Sequence, residues 1–115
     1  MENKKVTIAI QDLRVANLEN RKGNEVKNQF VLTGGSIIQF NSYKSPIITI
    51  DYQDFTVSVH PLYAYSVTTS KWRNYFLNQY DFSEIATTKD LESALDKGET
   101  VDDHGNKWTV RKEMV

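Results

Sequence analysis

Hydrophobic and polar residues alternate through much of the first half of the chain, and this period of two is typical of half-buried β-strands. Val6, Ile8 and Ile10 show the pattern most clearly. Five segments are predicted as strands: residues 6–10, 26–32, 37–43, 47–52 and 55–60. The sequence therefore predicts an antiparallel sheet of about five strands, which ends at Pro61 because proline cannot donate a hydrogen bond to a neighbouring strand.

Turn-forming residues separate these strands. Residues 21–24 and 33–36 contain the glycines that tight turns favour, and residues 53–54 divide the last two strands. Within the second strand, Phe30 and Leu32 are two positions apart, so we expect them to point inward together.

The hydrophobic period becomes helical after residue 66. The hydroxyl groups of residues 68–70 are candidate N-caps for a first helix that runs to about Tyr80. A second helix is predicted to begin at Thr87 and to end at Gly98, a residue type that often ends helices. Residues 100–112 then resemble a closing hairpin.

The order of these elements predicts an α+β fold. Residues 1–61 would form the antiparallel sheet, residues 66–98 two helices, and residues 100–112 a C-terminal β-hairpin. At 115 residues the chain has the usual length of a single domain, here residues 1–115, and it shows no repeat or low-complexity linker.

Composition excludes several kinds of site. The chain has no cysteine, which rules out a disulfide, a thiolate zinc site and a cysteine nucleophile. No stretch approaches the roughly 20 apolar residues of a membrane helix. Lys4 and Lys5 precede an apolar run that is too short for a signal peptide. We therefore expect a cytoplasmic protein with no membrane partner.

The net charge of −1 gives no overall attraction to nucleic acid, but the charges are unevenly distributed. Residues 1–80 contain nine Lys or Arg and six Asp or Glu, whereas residues 81–115 contain five and nine. The acidic C-terminal third is consistent with an ordinary solvated surface, and also with contact to a basic surface on a partner.

No motif predicts catalysis, a metal site or a cofactor. His60 and His104 fall at predicted strand ends or turns, without a nucleophile or phosphate-loop motif. Asp102, Asp103 and His104 are consecutive, and adjacent residues rarely bind one ion, so a hydrated turn is the better interpretation. We expect a non-enzymatic protein without a cofactor.

Aromatic and basic residues raise the possibility of single-stranded nucleic-acid binding, because exposed aromatic rings stack on bases. Tyr43, Lys44, Tyr52, Lys71 and Arg73 could contribute to such a surface. A core role is favoured for five other aromatic residues, which share strand or helix faces with aliphatic ones: Phe30, Phe40, Phe55, Phe76 and Trp72.

The segment 63–77 combines a hydroxyl-rich helix start with aromatic and basic residues. One interpretation is a capped helix that only packs on the sheet. The other is a recognition surface in which Tyr63, Tyr65, Lys71 and Arg73 face a partner, because tyrosine and arginine often contribute most of the binding energy at interfaces.

Short motifs in this region resemble a family of small uncharacterised bacteriophage proteins. They are Ser42-Tyr43, Tyr65-Ser66-Val67-Thr68-Thr69-Ser70-Lys71, Asn74-Tyr75-Phe76-Leu77 and residues 18–24. The likeness covers about residues 10–80, and members of that family often end soon after the helix with a lysine-rich tail. The resemblance implies a phage accessory protein that acts in the host bacterial cytoplasm, and it implies no activity.

The resemblance, the missing catalytic motifs and the acidic C-terminal third together suggest an inhibitor that binds a host bacterial protein. An anti-CRISPR directed at a nucleic-acid-processing defence effector is the leading hypothesis. In it, Tyr63, Tyr65 and Arg73 serve as anchors. A set of acids meets a basic channel of the effector: Asp90, Glu92, Asp96, Asp102 and Asp103. A single-stranded nucleic-acid-binding protein and a structural or morphogenesis component are the alternatives.

Overall fold

The α+β prediction is confirmed, with antiparallel strands first and helices after them. The computed structural model describes residues 13–113, and within that range seven strands form one sheet. The strands are β1 (Arg14–Glu19), β2 (Glu25–Gly34), β3 (Ile37–Ser42), β4 (Ser45–Asp51), β5 (Thr56–Val59), β6 (Glu99–Val101) and β7 (Lys107–Lys112). The α-helices are α1 (Val67–Gln79) and α2 (Thr88–Lys97), and a 3₁₀ turn, Ser83–Ile85, lies between them.

Successive antiparallel pairings build the sheet from β1 to β5. The chain then forms both helices before it returns to the sheet. There β7 pairs with β5 in parallel, with Val57 opposite Val110, and β6 pairs with β7 at the edge. The predicted closing hairpin is therefore a continuation of the main sheet, and the sheet is mixed, not purely antiparallel.

The first strands differ from the prediction. The strand expected at residues 6–10 lies outside the described residues. β1 was not predicted, because five of its six residues are exposed or only half-buried and Leu18 alone is buried. A register shift between Asn17 and Glu19 interrupts its pairing with β2, so its burial does not alternate.

The inward face of β2 is carried by Val31 and not by Phe30 and Leu32. Val31 lies opposite Phe40 of β3, and residues opposite each other in a sheet project from the same face. Phe40 is fully buried. Because side chains alternate along a strand, Phe30 and Leu32 project from the opposite face, so the expectation for these two residues is wrong.

Both helices cover the face of the sheet that carries Phe40. The ring of Phe76 from α1 stacks on Phe40 with the centroids 5.4 Å apart. Burial of each large apolar side chain stabilises the fold by roughly 1.5–3 kcal/mol. The central members of this core are Phe40, Ile48, Ile50, Val57, Val59, Phe76, Leu77, Leu91 and Val110.

Side-chain caps fix both helix starts. The N-cap of α1 is Ser66, whose hydroxyl accepts from the Thr69 amide at 3.0 Å, and not one of residues 68–70 as predicted. The Thr87 cap of α2 is confirmed, as is Gly98 at its end, where φ is 79°. Neither α-helix of the described region is long and apolar enough to cross a membrane.

Candidate functional site

A cleft of about 590 Å³ opens between the β3–β4 turn and the N-terminal end of α1. We call it the Tyr43–Tyr65 cleft, after the two exposed aromatic residues that line it. Among the described residues its lining contains hydroxyl, aromatic and aliphatic side chains and no charged one: Ser42, Tyr43, Ser45, Ile47, Leu62, Tyr65, Ser66, Thr68 and Thr69. Such a lining suits an uncharged ligand group with apolar surface.

Hydroxyl groups join the two walls of the cleft. The Ser42 and Thr69 hydroxyl oxygens are 3.0 Å apart, and the Ser66 hydroxyl donates to the Thr69 hydroxyl at 3.2 Å. Gln29 lies opposite Ser42 in the sheet and is almost fully buried, yet its Oε1 atom has no hydrogen-bond partner among the described residues. Among the described residues, a buried acceptor opposite Ser42 is therefore left without a donor.

One wall is the two-residue turn that carries Tyr43. Ser42 and Ser45 pair across this turn, and the Tyr43 amide donates to the Asn28 carbonyl at 2.6 Å. The backbone of Tyr43 has a φ of 57°, a left-handed conformation that bulky residues rarely adopt. Its side chain is 57% exposed, so burial of the ring does not compensate for this strain.

The opposite wall is the loop that leads into α1. Backbone hydrogen bonds from Tyr63 to His60 and from Tyr65 to Leu62, both 3.1 Å, fold it into consecutive turns. Tyr65 is 75% exposed. The Arg73 guanidinium contacts this loop from the interior of the protein, where its Nη1 donates to the Tyr63 carbonyl at 2.6 Å.

Arg73 does not face a partner, which corrects that prediction. It is fully buried, and its Nη2 donates to Thr88 Oγ1 at 2.6 Å and to Asn74 Oδ1 at 2.7 Å. Burial lowers the pKa of Arg73, and its neighbours Tyr63 and Glu92 oppose the shift. Arg73 therefore connects the loop that leads into α1, which we call the cleft loop (residues 60–66), to both helices from the interior.

The other predicted anchors differ in their exposure. Tyr65 and Lys71 are exposed, and the Lys71 ammonium lies 4.7 Å from the centroid of the Trp72 ring. Tyr63 is half-buried, and its hydroxyl donates to Glu92 Oε2 at 2.6 Å, which raises the pKa of Tyr63. Of these anchors, Tyr65 lines the cleft.

The predicted acidic residues do not form one surface. Glu92 and Asp96 lie four positions apart on α2, so they share a face, whereas Asp90 lies on a different side of that helix. Asp90 lines a shallow recess with Glu84 and Glu99. The structure therefore distributes these acids over separate parts of the surface.

Asp102 is buried and lies inside the β6–β7 loop, so it cannot meet a basic channel as predicted. Its carboxylate accepts from the Trp108 indole at 2.9 Å, from the Asn106 side chain and from two backbone amides. Burial alone would raise the pKa of Asp102, but these hydrogen bonds dominate and hold it well below its ordinary value. Asp103 is exposed and accepts from the Ser83 amide and hydroxyl.

The basic aromatic surface considered for nucleic acid is not assembled. Tyr43 precedes β4 and Tyr52 follows it, and this strand of seven residues separates them by about 20 Å at 3.3 Å per residue. Arg73 is buried. Lys44 and Lys71 remain exposed, but they do not form one stripe with Tyr52.

A polar row crosses the face of the sheet that the helices leave uncovered. Thr49 Oγ1 donates to Gln39 Oε1 at 2.8 Å and lies 2.7 Å from His60 Nε2. The Gln39 amide continues the row by donating to Asn41 at 2.8 Å. Burial lowers the pKa of His60, with Glu113 opposing the shift, which favours a neutral imidazole within this row.

Sequence reasoning missed Tyr43 and Leu62 as parts of one site with Tyr65. Tyr43 had been considered only for nucleic acid, and Leu62 not at all. A signal was present, since the Ser42-Tyr43 and Tyr65–Lys71 motifs belong to the same resemblance. Their separation of more than 20 residues conceals the contact until the sheet brings the β3–β4 turn next to α1.

Comparison with known proteins places the chain in a family without an assigned role. No curated protein and no solved structure matches it. A family model described as "Family of unknown function (DUF8033)" matches residues 12–93, which include every residue that lines the Tyr43–Tyr65 cleft. This match covers well over half of the chain, and the protein therefore belongs to the DUF8033 family.

Proposed function

We propose that this protein is a non-catalytic binding domain that captures a partner protein in the Tyr43–Tyr65 cleft. The observation that carries the proposal is the exposure of Tyr43 and Tyr65 on facing walls of a cleft without charged lining. Tyrosine is well suited to such a role, because it buries a large apolar area and keeps a hydroxyl for hydrogen bonding.

The strained turn supports the same proposal. A left-handed φ costs an L-residue about 1–2 kcal/mol, and glycine would avoid that cost at position 43. An exposed tyrosine in this conformation, with a φ of 57°, contributes little to the stability of the folded chain. A role in binding explains why position 43 carries a tyrosine and not a glycine, since backbone strain of this kind often accompanies function.

The chemistry of the lining favours binding over catalysis. The cleft hydroxyls bond to one another, and no imidazole or charged group is among its lining residues in the described region. Activation of a hydroxyl nucleophile needs an adjacent base. The lining also offers no cation to pair with phosphate, so it favours a protein over a nucleic acid.

For the biological role, we propose inhibition of a host bacterial protein in the host cytoplasm, with an anti-CRISPR-type activity as the leading version. The resemblance to phage accessory proteins is the support for this step. It predicts that expression of the protein restores plating of a phage that a CRISPR-equipped host otherwise restricts. Unchanged plating would contradict the anti-CRISPR version.

Capture of partners by cleft variants tests the binding role directly. Wild-type tagged protein and a Tyr43→Gly/Tyr65→Ala variant are used to capture partners from nuclease-treated host lysate. We expect one stoichiometric protein on the wild type and at least about tenfold less of it on the variant, because interface tyrosines often contribute more than 1 kcal/mol each. Tyr43→Gly should not lower stability, since glycine relieves the positive φ.

A matched control is Val15→Ala, which removes an exposed apolar side chain on β1, outside the cleft. It should capture the partner as the wild type does. Equal capture by the double variant would show that the cleft is not the binding surface. Partners that are lost on nuclease treatment would instead support the single-stranded nucleic-acid alternative.

A further inference from the structure

A second pair of exposed aromatic residues lies in the β4–β5 turn, at the other end of β4 from the cleft. Tyr52 is 38% exposed and Phe55 is 48% exposed. Phe55 was expected to belong to the core, but the structure places it in the turn with a φ of 52°. Like Tyr43, it is a bulky residue in a conformation that glycine would adopt without strain.

Trp108 holds both rings in place. Its ring centroid is 5.2 Å from that of Tyr52 and 4.9 Å from that of Phe55. Trp108 itself is buried, packs edge-on against Phe82 and donates its indole hydrogen to Asp102. The two exposed rings are therefore preorganised, which lowers the entropy lost when a partner binds.

Acidic residues lie near this aromatic pair. Asp54 lies in the same turn, Asp81 follows α1, and the Asp103 amide donates to the Asp81 carbonyl at 2.9 Å. All three acids are exposed. Asp102 accepts from the indole of Trp108, the ring that both aromatic side chains contact. Burial raises the pKa of Tyr52, and the neighbouring Tyr80, Asp81 and Asp102 raise it further.

Few basic groups offset that negative charge. Within residues 13–113, no lysine or arginine forms an ion pair with Asp54, Asp81 or Asp103. His104 Nε2 lies 3.3 Å from Asp81 Oδ2, and Lys107 is paired with Glu99 at 3.5 Å. Exposed rings flanked by carboxylates without a lysine or arginine partner among the described residues suit a cationic ligand, because a cation is attracted both to the ring face and to the carboxylates.

We propose that this surface, formed by Tyr52, Asp54, Phe55, Asp81 and Asp103, docks a basic segment of a partner protein. Lysine or arginine side chains of that segment stack on Tyr52 and Phe55 and pair with the aspartates. The inference extends the proposed binding function, but it concerns a second surface about 20 Å from the Tyr43–Tyr65 cleft, given the length of β4. The carboxylates repel phosphate, so the charge favours a basic protein over nucleic acid.

Fluorescein-labelled oligoarginine is the probe for this surface, and binding is measured by fluorescence anisotropy. Phe55→Gly removes the ring without a change of charge and relieves the positive φ, so the variant should fold normally. We expect it to bind about three- to fivefold more weakly, as the loss of one cation–π contact implies. Asp54→Asn/Asp81→Asn should weaken binding by about tenfold through two lost ion pairs.

The matched control is Glu19→Gln/Glu25→Gln, which removes the same number of charges at the β1–β2 hairpin. It should change the affinity by less than about twofold, because charges farther away than the screening length of about 10 Å contribute little. If the control and the aspartate variant weaken binding equally, or if Phe55→Gly binds as the wild type does, the proposal is wrong.

Two further measurements show where the probe binds and distinguish this proposal from the proposal of partner binding in the Tyr43–Tyr65 cleft. In a ¹H–¹⁵N spectrum, oligoarginine should shift the Trp108 indole signal, whereas shifts centred on α2 would overturn the assignment. Tyr43→Gly should bind oligoarginine normally. Failure of the cleft proposal would therefore leave this result unchanged, and failure here would leave the capture experiment unaffected.

Discussion

At the scale of single residues, Arg73 brings a positive charge into the interior without an anionic partner within ion-pair distance among the described residues. Neutral oxygen atoms surround its guanidinium: the Tyr63 carbonyl, the Asn74 amide oxygen and the Thr88 hydroxyl. The planar fork of donors reaches all three at once, which a lysine could not do. One side chain thus fixes the position of the cleft loop relative to both helices.

Replacement of Arg73 by methionine should destabilise the protein by about 2–3 kcal/mol, because buried acceptors lose a charged donor. Urea unfolding followed by circular dichroism measures the change. Lys71→Met is the matched control, since it removes an exposed cation two positions away and should change stability by less than about 0.5 kcal/mol. Equal stability of the two variants would show that the interior hydrogen bonds of Arg73 contribute little.

Asp102 predicts a specific dependence of stability on pH. Its folded-state pKa is depressed, so the unfolded chain binds the proton more readily. The stabilisation is therefore present above the unfolded pKa of about 3.9 and is lost as the pH falls towards the folded value. Asp102→Asn should lower the melting temperature at pH near 7, and its difference from the wild type should shrink as the pH falls below about 4.

Thermal melts of both proteins across this pH range test that expectation. Asp96→Asn, which replaces an exposed acid on α2, provides the comparison and should follow the wild type throughout. A difference between wild type and Asp102→Asn that stays constant down to strongly acidic pH would mean that packing, and not the charge of Asp102, stabilises the loop.

At the scale of elements, β7 has a larger structural role than its position after the family-matched residues suggests. It pairs with β5, whose four residues are all buried, and it supplies Trp108 and Val110 to the core. Without it, Val57 and Val59 would lie on a sheet edge, where unpaired backbone groups promote aggregation. We therefore expect the fold of residues 13–93 to depend on this C-terminal segment.

A chain truncated after Gly98 retains the whole family-matched segment and tests this dependence. We expect no cooperative thermal transition and a tendency to aggregate in size-exclusion chromatography. The full-length Trp108→Ala variant is a milder test, and its free energy of unfolding should fall by about 3–5 kcal/mol, as expected for a large buried aromatic residue. A sharp transition in the truncated chain would contradict the dependence.

At the scale of the whole molecule, local signals in the sequence were sufficient for the order of the elements after β1 but not for their assembly. Thr87 and Gly98 act through neighbouring residues, so their roles as helix caps could be predicted. The pairing of β5 with β7, by contrast, joins segments about 50 residues apart and leaves no local pattern.

The candidate site was predictable only in part, for a similar reason. Tyr65 was identified as a partner-facing residue from its type and its setting, and it is exposed. The partnership of Tyr65 with Tyr43 depends on the tertiary fold. Arg73 was wrongly predicted to lie at the surface, because residue type alone favours an exposed arginine. A buried arginine with neutral hydrogen-bond partners is uncommon.

The two aromatic surfaces lie at opposite ends of β4. Tyr43 and Phe55 both adopt positive φ in hairpin turns, and these turns lie at opposite ends of β4. Natural chains usually place glycine or asparagine at such positions. The fold therefore places an exposed ring in a strained turn at each end of a central strand.

The parallel pairing of β5 with β7 also has a consequence for synthesis of the chain in the cell. The ribosome makes β5 before both helices and needs roughly 50 further residues to reach β7. At the usual elongation rates this takes about 3–10 s. During that interval one side of Thr56–Val59 has no strand beside it, so the nascent protein passes through a period in which a chaperone, or another growing chain, can occupy the place of β7.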